Sequence, residues 1–137
     1  MYHTIHFNIR KEIQMRVLNT IQKREKLNTV YAMDEKGNGN ANHDYRIYDK
    51  NDKGETYPFC CHIQFQNGPR TSPDSVHGAL DTDLLEIVRD RLIGFQSGEF
   101  ATEYNAKALE HLELALMYMN RRVEDRIERQ VLGTNNI

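Results

Sequence analysis

From position 81 onward, apolar side chains return every three or four residues: Leu84, Val88, Leu92 and Phe95, then Leu109, Leu112, Leu116, Met119 and Val123. That is the period of a helix with one buried stripe, and it predicts helices over 82–96 and 99–129. Acidic residues open the first helix, and Gly94 and Gly98 mark its end. In the second, Asn105 and the apolar positions after it alternate steps of four and three, the spacing of a coiled-coil seam. About 30 helical residues extend roughly 45 Å, more than one shorter helix and a small sheet can cover. The uncovered part of the seam is therefore expected to pack against another copy of the chain, with two-fold pairing the simplest arrangement.

Upstream the period changes to two. In YPFCCHIQFQNGP, 57–69, Cys61, Ile63 and Phe65 fall on one face of a strand and Gln64 and Gln66 on the other. NTVYAM, 28–33, and YRIYD, 45–49, read as further strands, joined by the Gly- and Asn-rich loop DEKGNGNANHD and followed by the turn KNDKGE. The prolines of NGPRTSPDS end the sheet. At the start, IHFNI, 5–9, fits a short strand. Residues 10–27 fit an amphipathic helix through Ile13, Val17, Leu18 and Ile21, although Met15 and Val17 also permit strand alternation. The expected fold class is α+β: a small antiparallel sheet followed by a long two-helix hairpin that oligomerises. It is read as a single domain over 1–137, with an N-terminal segment (1–33), the sheet (28–68), the hairpin (81–130) and a tail (131–137).

Composition narrows the chemistry. At 137 residues the chain is long enough for one real core, and its formal charge of -2 argues against coating DNA or RNA, which needs a basic surplus. No apolar run is long enough to span a membrane, and MYHTIHFNIRK lacks the order of a signal peptide, so a cytoplasmic protein is expected. Cys60 and Cys61 are adjacent and read as buried strand thiols, and the six histidines show no ligand spacing, so neither metal nor cofactor is expected. There is no nucleophile elbow, phosphate-binding loop or HExxH. The chain reads as one that binds rather than reacts.

Two places carry binding chemistry. Near the end of the second helix, Arg122, Arg126 and Arg129 stand at i, i+4 and i+7, an arc of about 60 degrees at roughly 100 degrees per residue. Three guanidinium forks on one face suit phosphate oxygens. The spacing equally fits arginines that complement the helix dipole or pair with Asp125, and by itself it favours that structural role. At the corner between the helices, Phe95 and Gln96 lie between two glycines, where small polar residues would suffice for a turn. Phe95 also fits the last core position of its helix, and Asn105 fits a register-setting polar residue in the seam. Together, an aromatic face, an amide and an arginine cluster are what a base, a ribose and a phosphate require.

The strings CHIQFQNGPR, DLLEIVRDRLIGFQSGEF and NAKALEHLELAL, with the arginines that follow and the closing GTNN, resemble the phage Thoeris anti-defence sponges of the first family. The hairpin is also similar to that of phage anti-CBASS sponges. The resemblance covers roughly 45–137 and is most specific from Arg91 to Arg129. It implies a cytoplasmic protein of the infected bacterium that sequesters glyco-cyclic ADP-ribose without degrading it, in sites enclosed by paired subunits. Such assemblies are dimers, or hexamers of three dimers, and some members have a second pocket for cyclic di- or trinucleotides. By position, the resemblance implies that Phe95, with Gln96 beside it, stacks on adenine, that Asn105 bonds a ribose or base edge, and that Arg122 holds the pyrophosphate. Arg126 and Arg129 would support it, and Gly133 and Thr134 of the tail would close over the base. Arg70 and Thr71 match the second pocket, although Thr71 stands where a glycine is expected, and GTNN departs from the family's GTH. The competing functions are a nucleotide phosphodiesterase or hydrolase with an unrecognised site and a structural coiled-coil protein.

Overall fold

Alternation in the first half of the chain produces a four-stranded antiparallel sheet. The computed structural model describes residues 15–50 and 56–137, with 56–60 described by backbone alone. The strands are β1 (Arg16–Val17), β2 (Asn28–Ala32), β3 (Asp44–Lys50) and β4 (Thr56–Gln64), in the order β1-β2-β3-β4. Register places Val30 opposite Ile47, Ala32 opposite Tyr45, Ile47 opposite Cys61 and Tyr45 opposite Ile63. Because cross-strand partners point to the same side, these residues form one largely apolar face. Tyr45 and Phe65 meet edge to face at 5.6 Å, as do Tyr31 and Tyr48 on the other side.

The helix expected over 10–27 is not formed where the chain is described. Arg16 and Val17 pair instead with Ala32 and Tyr31, and residues 18–27 are irregular. Ile21 and Leu27 are exposed, so a helix here would have no apolar face to bury. Local bonds from Thr20 and Gln22 to neighbouring carbonyls, and a left-handed Glu25, hold the segment as successive turns. The strand expected at 5–9 lies outside the described residues. Cys61 corrects a second expectation: it is exposed, beside the register shift between Ile47 and Tyr48, and not a buried thiol.

The loop between β2 and β3 is fixed by Asp34. Its carboxylate accepts the backbone N–H groups of His43 and Asp44, and Asn42 donates to the Asp34 carbonyl while accepting from Arg16 at 2.7 Å. Beyond β4, Asn67 and Val76 exchange two backbone hydrogen bonds. Gly78 then passes so close to β4 that a Cβ there would stand 2.3 Å from the Gln64 carbonyl oxygen.

The described chain divides into two compact units: the sheet with residues 76–78, and the helices with residues 69–75. In the second unit, α1 (Asp81–Gln96) packs against α2 (Glu103–Glu128). Asp83 starts α1 by accepting the Leu80 N–H at 2.9 Å. Helix α2 begins four residues later than the pattern predicts, because the Thr102 hydroxyl caps it by accepting the Asn105 N–H at 3.0 Å. Burial follows the predicted seam: Asn105, Leu109, Leu112, Leu116, Met119 and Val123 are all half-buried, with α1 packed alongside. Across the pair, Arg89 bonds Glu113 at 2.8 Å and Glu86 more loosely. The Glu113 bond, with its charge, holds the Arg89 guanidinium more firmly in its charged form.

The tight passage at Gly78 makes a direct prediction. Gly78→Ala forces backbone apart and should lower unfolding free energy by about 1–3 kcal/mol. Urea denaturation measures this, and a midpoint equal to the unsubstituted chain would refute the close packing.

Candidate functional site

A corner built without a glycine-dependent turn positions the aromatic residue. Ser97 closes α1, its hydroxyl bonding the Gly94 carbonyl at 2.7 Å. Gln96 then bridges the gap: its amide donates to the Thr102 carbonyl and accepts the Thr102 N–H, both at 3.1 Å. Gln96 therefore braces the corner, a role that neither composition nor periodicity indicated. Gly94 and Gly98 have open space where side chains would stand and no left-handed backbone, so the turn does not require them. Held on this frame, Phe95 is 39% exposed. Arg91 lies over its ring, guanidinium carbon to centroid 5.3 Å. Their i, i+4 spacing on α1 was the available signal for this pair. In the first turn of α2, Asn105 is half-buried and its side-chain amide has no hydrogen-bond partner among the described residues.

The three arginines at the far end of α2 are not equivalent. Arg126 donates to the carbonyls of Val131 and Thr134, both at 3.0 Å. Arg129 pairs with Asp125 at 3.0 Å and donates to the Ile137 carbonyl at 2.6 Å. Left-handed residues at Gln130 and Gly133 turn the tail back so that these carbonyls arrive. Arg122 is exposed and makes no ion pair or hydrogen bond among the described residues. The loop pair also reaches the tail: the Thr71 hydroxyl donates to the Gly133 carbonyl at 3.3 Å, and neighbouring Arg70 is exposed.

Thus the fold groups the expected site residues in two sets. Phe95, Gln96 and Asn105 gather at the corner, and Arg122, Arg126, Arg129, Gly133 and Thr134 at the opposite end, with Thr71 beside them. Asn105 and Arg122 are seventeen residues apart on one helix. At about 1.5 Å per residue this is roughly 25 Å, too far for a single nucleotide to bridge within one chain.

Between the two ends the exposed flank of α2 is apolar. Leu114, Met117 and Tyr118 are about half to two thirds exposed, and neither helix contains a fully buried residue. Gln96, Ala106, Leu109, Glu110, Glu113, Leu114 and Met117 line an open groove of about 500 Å³ along this flank. Among the described residues no cluster of His, Cys, Asp or Glu suits a metal ion, and no helix is long and apolar enough to cross a membrane.

Residues 61–124 match the Acb2/Tad1 hairpin domain. The chain is also 41% identical, over 73 residues, to Thoeris anti-defense 1 of Bacillus phage SBSphiJ7, a match covering 53% of this chain and 51% of the relative. The chain thus spans about half the length of the curated relative it matches. The matched hairpin domain contains the corner, Arg70, Thr71 and Arg122, and stops before Arg126, Arg129 and the tail; strands β1 to β3 also lie outside it.

Because the guanidinium of Arg126 holds two tail carbonyls, Arg126→Ala should release the tail without unwinding α2. Limited proteolysis is expected to cleave after residue 130 several-fold faster, with unchanged helical circular dichroism. Equal cleavage rates would show that the tail is held by other means.

Proposed function

We propose that the chain is an anti-defence binding protein that sequesters glyco-cyclic ADP-ribose, without chemical conversion, in sites formed between two copies. The hairpin domain and the similarity to a Thoeris anti-defense protein support the functional class. The observation that carries the geometry is the roughly 25 Å between a corner that can stack a base and an arginine that has no partner among the described residues. A second copy with its α2 antiparallel removes that separation. An axis near residues 113 and 114 brings Asn105 of one copy level with Arg122 of the other, and the same axis runs beside exposed Leu114 and Met117. One contact then buries the apolar flank and completes two equivalent sites.

In this arrangement Phe95 stacks on adenine, with Gln96 holding the corner rigid, and Asn105 bonds the ribose or a base edge. Arg122 takes the pyrophosphate. Arg126 and Arg129 keep the tail, including Gly133 and Thr134, folded beside it. Arg70 and Thr71 belong to a second pocket for cyclic di- or trinucleotides, at the contact of three such pairs in a hexamer. The host cytoplasm is where such a ligand would be met. Affinity is sufficient for sequestration: about 35 non-hydrogen atoms at roughly 0.3 kcal/mol each give about 10 to 11 kcal/mol, or tens of nanomolar.

Purified protein should deplete glyco-cyclic ADP-ribose and return it intact after heat denaturation; recovery of a cleaved nucleotide would make the protein a hydrolase instead. Ligand at a hundred times its dissociation constant should add about 2.7 kcal/mol of stability. Arg122→Ala is expected to abolish this gain while leaving the oligomer intact on size-exclusion chromatography. Undiminished binding by that variant would overturn the arginine assignment.

A further inference from the structure

We propose that Arg91 is a positioning residue of the nucleotide site, covering one face of Phe95 with its guanidinium so that a purine stacks on the other. The inference rests on the base-stacking reading of the corner given above, and adds a residue to it. Arg91 stands four residues before Phe95 on α1, which brings its guanidinium carbon to 5.3 Å from the ring centroid. No carboxylate lies three or four residues away on either side of it: those positions are Ile87, Val88, Gly94 and Phe95. It is exposed, and among the described residues it makes no ion pair, unlike Arg89 and Arg129. Its partner is therefore the ring. With the guanidinium in place, Phe95 still keeps 39% of its surface exposed.

Three consequences follow from a cation on one face of a ring. The ring's rotation is restricted before any ligand arrives, so less freedom is lost on stacking. The cation draws π density towards itself, which reduces repulsion between the opposite face and an electron-rich purine. An unneutralised charge also lies close to where an anionic ligand docks. A purely structural use is weaker here, because Arg91 lies outside the last turn of α1, where a cation would best complement the helix dipole.

Isothermal titration with glyco-cyclic ADP-ribose tests this. Arg91→Ala, and Arg91→Met as a cover of similar length without charge, should each weaken binding roughly three- to thirtyfold, the span of a cation–π contact from exposed to desolvated. Arg91→Lys should restore part of the loss. In a Phe95→Leu background, Arg91→Ala should add little, since the ring through which it acts is gone. Melting temperature should stay unchanged in all Arg91 variants. Affinity of Arg91→Ala equal to that of the unsubstituted protein, or an equal loss in both backgrounds, overturns the inference while leaving the site standing. If the unsubstituted protein binds no glyco-cyclic ADP-ribose, the stacking site falls, and this inference with it.

Discussion

Two helices cannot enclose a core, and most of what is distinctive in this chain follows from that constraint. A helix needs apolar cover over a broad stripe, and a single neighbour covers only the part that faces it. Helix α1 half-buries the seam of α2 and leaves Leu114, Met117 and Tyr118 in contact with solvent. The same geometry spreads polar chemistry along a rod, because an antiparallel hairpin puts its corner at one end and its free termini at the other. Uncovered apolar surface and divided chemistry are then two expressions of one shortage of packing partners. The self-complementary pairing proposed above would answer both.

The tail shows how charge is apportioned among residues that look alike in the sequence. Arg126 and Arg129 bind backbone carbonyls of the tail that follows the helix, those of Val131, Thr134 and Ile137. Arg122, one turn earlier, has no such duty among the described residues. The structural role favoured by spacing holds for two of the three arginines, and Arg122 is the one left available for an anion. Deleting the first two would thus disturb the fold of the tail, whereas deleting Arg122 removes charge with little structural effect.

What was legible in the sequence tracks how local the cause is. The seam from Asn105 to Val123 and the extent of α1 come from periodicity alone, and both are seen. So are β2, β3 and β4, whose alternation leaves one face apolar. The segment after Met15 misled because its apolar spacing fits two periods, and pairing with β2, a strand beyond the reach of any local rule, chose between them. The start of α2 was misplaced because a single hydroxyl, Thr102, sets it. Phe95, Asn105 and Arg122 were visible as residue types, but their separation emerged only once both helices had an order and a direction. The Gln96 brace and the Arg89–Glu113 link join residues distant in sequence, and no pattern within a window reveals them.

The division of chemistry along α2 also has a genetic reading. In the pairing proposed above, with Phe95 at one end and Arg122 at the other, neither polypeptide would own a whole pocket. Co-expressed chains, one defective only at Phe95 and the other only at Arg122, would assemble mixed pairs in which one pocket receives both lesions and its twin receives neither. Two inactive alleles would thereby complement each other, one intact pocket in each mixed pair, as no pair of self-contained binding domains can.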